Sequence, residues 1–459
     1  MRTTAALLAA TLAFAGAAQA DSVNIGAVYA LTGPGAVGGG DGMRGAQLAV
    51  DELNAAGGLK HHDGATVDLL QGDTQSRPVN AVGEAERLIT QGKAAVLMGA
   101  ATSNETLPLS QVAEKYGVPH VNTIPQSAQL TDGKLKWTWS TTVIDSDYVK
   151  GILGALDMIL KAAPDLKRVA VLAPDNEYGI EMAKLLKEAL AARKDIALTA
   201  FVEYSAAAGD LLQPALKLKA SRPDIVVQVG YFRSGVLAAR AYAQLDFHPV
   251  VVGTGGMSGD PKLRAEIGNL VEGQFAVTPF ASDLPGAAAV EAAYRKKFGQ
   301  PLTLNSALGY FGAQVVLKAL DEAKSFGAQD VAEALRKVKV DKDHMITASD
   351  FIAFDANGRN TGRIAGPPSG GEIALPVTLD AGDNVVQVRV YDQDGSIYSE
   401  TAPLDVVRTA SGPADAQGRL FVLAIGIDRF ANPAFTLRYA VADAQAVADG
   451  LRAEAPSIA

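Results

Sequence analysis

The sequence predicts an α/β protein made of two doubly wound parallel-sheet lobes, followed by a small β-rich and partial α/β tail. Three observations predict it. From Val23 to about Phe280, short apolar runs alternate with amphipathic helical stretches, the pattern of parallel sheets covered by helices on both faces. The alternation comes as two series that divide near Asp145. After Gly362 the chain becomes rich in Gly, Pro and Ser, and then shows a period-two strand pattern.

The first series opens with an apolar strand over residues 23–30. A glycine-rich loop follows, then a helix over residues 43–56 with Ala46, Ala49, Val50 and Leu53 on one face. Asp41 or Gly42 can cap its start, and Gly57-Gly58 ends it. Residues 67–70 form the next strand; Ser76 then caps a helix with Pro78 in its first turn, where a missing N–H costs nothing. A strand at 94–98, a helix ending at Tyr116-Gly117 and a strand at 118–121 complete the series, with Trp137 and Trp139 alternating in a further short strand. In the second series, strands at 168–172, 196–202, 225–229 and 250–253 alternate with helices at 178–193, 211–220 and 234–245. Helices follow at 286–298 and 305–323.

Residues 1–20 read as a secretory signal peptide: Arg2, then an alanine-rich apolar stretch, then Ala18-Gln19-Ala20 as a small-x-small cleavage site. The stretch is shorter than the roughly 20 residues of a bilayer span, and no later segment is apolar enough to cross. The address is therefore periplasmic. The 459 residues include no cysteine, so hydrophobic cores rather than disulfides must hold the exported chain. A net charge of −9 argues against nucleic acid or an anionic membrane surface as partner.

No Ser/His/Asp or paired-glutamate constellation stands out, so the chain reads as no enzyme, with no cofactor. Gly33-Pro34-Gly35-Ala36-Val37-Gly38 fits G-x-G-x-x-G, yet Pro34 removes a backbone donor and export separates the chain from nicotinamide pools. A loop that a ligand approaches closely, beside free N–H groups at a helix start, is the better reading. Ser103, between a strand and a helix, is either an N-cap or a hydroxyl offered with the helix N-terminus to a carboxylate; the sequence leaves both open. Asp145 and Asp147 at a helix start are capping residues or a ligand's counter-charge. His61-His62-Asp63 reads as a solvated turn rather than a metal site.

Several segments, in order and at matching spacing, resemble one family. They are Val23-Asn24-Ile25-Gly26, Leu31-Thr32-Gly33-Pro34, the run from Gly45 to Gly58, Gly99 to Ser103, Asp145-Ser146-Asp147, Asn176-Glu177-Tyr178-Gly179, Gly230-Tyr231 and Phe354-Asp355-Ala356-Asn357-Gly358. Together they look like the branched-chain amino-acid (leucine/isoleucine/valine) binding proteins of ABC transporters, over residues 22–362. The resemblance implies the type I periplasmic binding fold, whose hinge is crossed three times: near Thr142, near Gly273 and before Phe351. Lobe 1 would hold residues 21–143 and 274–350, and lobe 2 residues 144–273 and 351–362. The ligand would lie between the lobes. Ser103 would bond its carboxylate, the loop with Gln126 and Ser127 would add contacts, and Asp145, Tyr178 and Tyr231 would line the cleft. Two departures stand out. The family's ligand-facing aromatic falls at Gly38 or Gly39, which would enlarge the pocket, and the acid that meets the ligand ammonium falls at about Gly255.

The tail divides into a linker at 363–372, a small β unit at 373–408, a second linker at 409–419 and a segment at 420–459. That segment is similar to the first strand and helix of caspase-like (metacaspase) peptidases, truncated before the family's catalytic His and Cys. The expected function is a monomeric periplasmic receptor that passes a small polar solute, an amino acid or a related compound, to a membrane permease. The alternatives are the sensor part of a caspase-like signalling or peptidase fusion and, less well supported, a nicotinamide-dependent enzyme.

Overall fold

The computed structural model describes residues 22–339 except 255, 283 and 285, together with strand residues 352–354, 382–386, 389–391, 398–400 and 404–408. The signal-peptide and caspase-like segments assigned from sequence lie outside the described residues.

Lobe 1 is a parallel five-stranded sheet of order β2-β1-β3-β4-β5. Its strands are β1 (Ser22–Tyr29), β2 (Thr66–Asp73), β3 (Val96–Gly99), β4 (His120–Asn122) and β5 (Thr138–Ser140), and its helices α1 (Ala36–Ala55), α2 (Pro78–Thr90) and α3 (Ser103–Tyr116). Lobe 2 is a six-stranded sheet of order β11-β10-β9-β8-β6-β7. It contains β6 (Arg168–Pro174), β7 (Ala197–Tyr204), β8 (Ile225–Gln228), β9 (Val250–Thr254), β10 (Gln274–Thr278) and β11 (Ile352–Phe354), with α4 (Asp145–Ala162), α5 (Glu177–Ala191), α6 (Leu212–Ala220), α7 (Phe232–Gln244) and α8 (Pro261–Ile267). All its pairings are parallel except that of β11 with β10. Helices α9 (Ala287–Phe298), α10 (Leu304–Glu322) and α11 (Ala328–Leu335) return to lobe 1, where α10 lies along α1.

Parallel strands covered on both faces show near-continuous apolar runs, and both lobes follow that rule. Ile25, Ala27 and Tyr29 of β1 enter the core beneath α1 and α10, while Val28 packs with α2 and α3 on the other face. In β6, Val169, Val171 and Ala173 face one way and Ala170 and Leu172 the other, all fully buried.

The structure corrects several sequence expectations. The glycine-rich stretch 36–42 is the first two turns of α1, not a loop before it. Its N-cap is Gly35, and Asp41 is buried within the helix rather than capping it. Glycine serves close packing here: a Cβ on Gly45 would strike the Ser306 carbonyl of α10, and one on Gly309 the Gly42 carbonyl of α1. The stability that Gly costs a helix, about 1 kcal/mol each relative to Ala, is offset by that interhelical contact. The N-cap of α2 is Arg77 rather than Ser76, whose hydroxyl instead accepts from Gly35 N (2.9 Å) and donates to Thr32 O (2.9 Å), tying down the β1–α1 loop. The second crossing lies not at Gly273 but between Thr278 and Ala287, because β10 pairs in register with β9 and extends the lobe 2 sheet. Residues 274–278 therefore belong to lobe 2. The first crossing runs from Ser140 to Asp145; the third, expected before Phe351, falls outside the described residues.

In the tail, β12 (Gly382–Val386) pairs antiparallel with β15 (Leu404–Arg408), and β13 (Arg389–Tyr391) with β14 (Tyr398–Glu400). Among the described residues, no helix is long and apolar enough to cross a membrane, and no group of acids and histidines is placed to hold a metal ion.

Candidate ligand site between the lobes

A cavity of about 80 Å³ lies between the lobes, at the carboxyl ends of both parallel sheets. Open α/β sheets bind ligands at this edge because loops and helix starts converge there. Lobe 1 contributes Pro34, Gly35, Val37 and Gly38 from the start of α1, Ala101 to Ser103 from the start of α3, Ile124 to Gln126 after β4, and Leu304 and Asn305 from the first turn of α10. Lobe 2 contributes Tyr148, Tyr178, residues 230–233 at the start of α7, Thr254 and Gly256.

Of the residues singled out from sequence, Ser103, Gln126, Tyr178 and Tyr231 meet on this cavity. Ser103 is the first residue of α3, follows the N-cap Thr102 and is only 2% exposed. Among the described residues its hydroxyl has no protein partner. The neighbouring hydroxyls are engaged: Thr102 and Thr74 both donate to Glu105, whose carboxyl burial pushes above its usual range. Gln126 is bonded by the Tyr148 hydroxyl, and its carbonyl accepts from Asp145 N at 2.9 Å, so the first crossing is anchored at the cavity wall. The Tyr178 and Tyr231 rings lie 5.7 Å apart at a tilt of 46°. Tyr178 bonds Thr254, and Asn176 Nδ2 donates to the Tyr231 hydroxyl at 3.0 Å. Burial raises both phenols, so they stay neutral donors.

Ser127 and Asp145 sit behind the lining. Ser127 Oγ donates across the lobes to Glu181 Oε2 at 2.8 Å, and Gln129 Nε2 to Glu177 Oε1 at 2.6 Å. Asp145 is fully buried with no donor to either carboxylate oxygen. Burial first, then the Glu181 and Glu177 carboxyls, push it up to about 8; Glu181 lies close enough for a hydrogen bond once one of the two acids carries a proton. Gly255 lies outside the described residues.

At positions 38 and 39, where the resemblance places glycine for an aromatic, the neighbours are close. A Cβ on Gly38 would lie 2.7 Å from Asn305 Nδ2, and one on Gly39 would strike the Ala30 backbone. The Asn305 amide thus stands beside Gly38 on the cavity wall. Sequence reading missed Asn305, Arg233 and Tyr148. Tyr148 was findable, because it lies one helical turn after Asp145; the others depend on tertiary contacts.

A second cross-lobe contact flanks the cavity. Lys262 Nζ of α8 lies 2.7 Å from both carboxylate oxygens of Asp41 in α1. Asp41 also accepts from Arg44 and from Thr303 Oγ1 (3.0 Å), all within lobe 1. The lobes are thus closed on each other, with ion pairing on one side of the cavity and hydrogen-bonded acids on the other.

Comparison with known proteins agrees with this geometry. A family model described as periplasmic binding protein matches residues 22–371. The chain is 32% identical over 370 residues to Leu/Ile/Val-binding protein homolog 7 of Brucella suis, covering 77% of this chain and 90% of the relative. It is 29% identical to homolog 8 of Brucella abortus, covering 75% and 87%. Among solved structures, it superposes with TM-score 0.64 at 24% identity on the isoleucine complex of a branched-chain amino acid transporter substrate binding protein from Streptococcus pneumoniae, covering 74% of this chain and 98% of the other. A fatty acid ABC transporter substrate-binding protein from Thermomonospora curvata gives TM-score 0.63 at 20% identity, covering 74% and 90%. These two likenesses speak to the fold.

Proposed function

Because the chain belongs to the periplasmic binding protein family, we propose that it is the substrate-binding component of an ABC transporter, closing its two lobes on a small polar solute, an amino acid or a related compound. The single observation that carries this reading is the interlobe cavity, walled by both lobes, with the buried and unpartnered Ser103 hydroxyl at a helix start. In this reading Ser103 and the first backbone N–H groups of α3 take the ligand's carboxylate. Tyr178 and Tyr231 cover it from lobe 2, and Gln126 with Ser127 fixes the loop behind it. Asp145 stands behind Gln126 at the first crossing.

Ligand energy enters through differential affinity for the closed arrangement. The closed form then docks, as a monomer, on a membrane permease, and no chemical step is involved. Export to the periplasm through residues 1–20 completes the reading. The relatives named for leucine, isoleucine and valine support an amino-acid-like ligand.

Calorimetry tests this with solutes recovered from the freshly purified protein by native mass spectrometry. Ser103→Ala and Tyr231→Ala, one from each lobe, each weaken binding by about 1–3 kcal/mol, the cost of a buried partner left unsatisfied, with little change in melting temperature. Unchanged affinity in both variants would place the site elsewhere.

A further inference from the structure

We propose, resting on the receptor reading above, that this cavity selects organic acids that carry no ammonium group, and that Arg233 at its mouth is the counter-charge for a second carboxylate, so that the preferred ligand is a dicarboxylate.

The charge of the lining carries the argument. Among the described residues, none that lines the cavity is Asp or Glu, and the charged one is Arg233, exposed in the first turn of α7 and without an ion pair there. The first turns of α1, α3, α5, α7 and α10 all supply lining residues, so their unsatisfied N–H groups add positive potential to the same space. Ser103, buried and unpartnered, gives that potential a hydroxyl donor aimed into the cavity.

Among the described residues, the acids near the cavity are committed elsewhere; Glu105, whose charge reaches Tyr231, takes the Thr74 and Thr102 hydroxyls. Glu181 takes the Ser127 hydroxyl and Glu177 the Gln129 amide, each across the lobes. Asp145 lies behind Gln126 in a setting that favours its neutral form at neutral pH. An α-ammonium would therefore be desolvated with no ionised partner in the lining, which is costly. A carboxylate finds donors there: the Ser103 hydroxyl, the helix N–H groups and the NH2 groups of Gln126 and Asn305. The room is also elongated, because an outer cleft shares Pro34, Val37, Phe232 and Arg233 with the cavity. A chain of a few carbons running outward from Ser103 passes Arg233 on its way to solvent.

The test uses matched pairs that differ only in the amino group: glutarate against glutamate, and 4-methylpentanoate against leucine, titrated by calorimetry into the full chain. The expected result is that each acid binds at least about tenfold more tightly than its amino acid, with glutarate the tightest. Arg233→Gln, at an exposed position, lowers glutarate affinity by about tenfold and leaves 4-methylpentanoate nearly unchanged. Glutamate or leucine binding as tightly as its partner acid overturns the proposal. If that binding is lost in Ser103→Ala, the receptor reading survives; if no probe of either series binds, both fall. Equal losses for the two acids in Arg233→Gln would remove the second-carboxylate assignment.

Discussion

Replacing Lys262 by Met separates lobe closure from lobe stability. Lys262 Nζ contacts both oxygens of Asp41 at 2.7 Å, and the two residues lie 221 positions apart on opposite lobes. Asp41 is fully buried and Lys262 is 24% exposed, so the pair is largely shielded from solvent. Removing one partner of a buried ion pair costs about 3–5 kcal/mol when the other charge is left alone. Here Asp41 keeps Arg44 and Thr303, both in its own lobe, so the loss is nearer that of a charged hydrogen bond, about 2 kcal/mol. It falls on the closed arrangement alone, because Lys262 reaches Asp41 only when the lobes meet. A shift of that size reduces the closed-to-open ratio by about 30-fold, and apparent ligand affinity by the same factor where the open form dominates. The chain has no cysteine, so a spin-label pair introduced at the exposed Val79 of lobe 1 and Ile180 of lobe 2 reports lobe separation directly. The expected outcome is a longer distance distribution in Lys262→Met. Arg44→Met, which removes a contact inside lobe 1, lowers the melting temperature without moving that distribution. An unchanged distribution and unchanged affinity in Lys262→Met would refute the latch.

Further predictions concern the fold and its pH dependence. His120 is fully buried with Nε2 2.7 Å from the Gly99 carbonyl, and burial pushes it down from 6.5 to about 4. Its folded value is depressed, so its stability contribution is complete above about pH 6.5 and is lost as pH falls towards 4, by about 3 kcal/mol; urea unfolding at pH 7 and pH 4 measures this, and His120→Gln flattens the slope. Asp145 is the opposite case. Its folded value is raised to about 8 from 3.8, so its contribution is complete below pH 3.8 and lost as pH rises through 8; Asp145→Asn stabilises the ligand-free protein more at pH 9 than at pH 5 in the same assay. Gly45→Ala forces α1 off α10 at the Ser306 carbonyl and lowers stability by about 1–3 kcal/mol, the usual cost of overpacking, seen as a lower melting temperature. Deleting the chain after Gly371, where the family match ends, leaves ligand affinity intact by calorimetry; loss of binding would make the tail part of the receptor.

The strands and most helices were legible in the sequence because burial on both faces leaves continuous apolar runs such as Val169 to Ala173. The start of α1 was not. Six glycines between residues 33 and 42 read as a loop, yet four of them lie in α1, where tertiary neighbours explain three: Asn305 of α10 beside Gly38, the Ala30 backbone beside Gly39, and Tyr29, Ile124 and Gly309 of α10 beside Gly42. The second crossing was misplaced for a related reason: whether β10 joins one sheet or the other is decided by its pairing with β9, which local pattern does not encode. At the site, Ser103, Tyr178 and Tyr231 were found through spacing that resembles a family. Asn305 beside Gly38, a contact between α10 and α1 inside lobe 1, and Lys262 meeting Asp41 across the lobes join residues remote in sequence, which local pattern does not encode.

The central claim, that a solute is held between the lobes at the start of α3, is tested most directly by a crystal structure of the protein grown with the tightest-binding acid of the matched panel. The account predicts closed lobes with the ligand's carboxylate within hydrogen-bond distance of Ser103 Oγ, and Tyr178 and Tyr231 against it from the other side. A ligand bound outside the interlobe cavity, or in it with its carboxylate turned away from Ser103, would contradict the account.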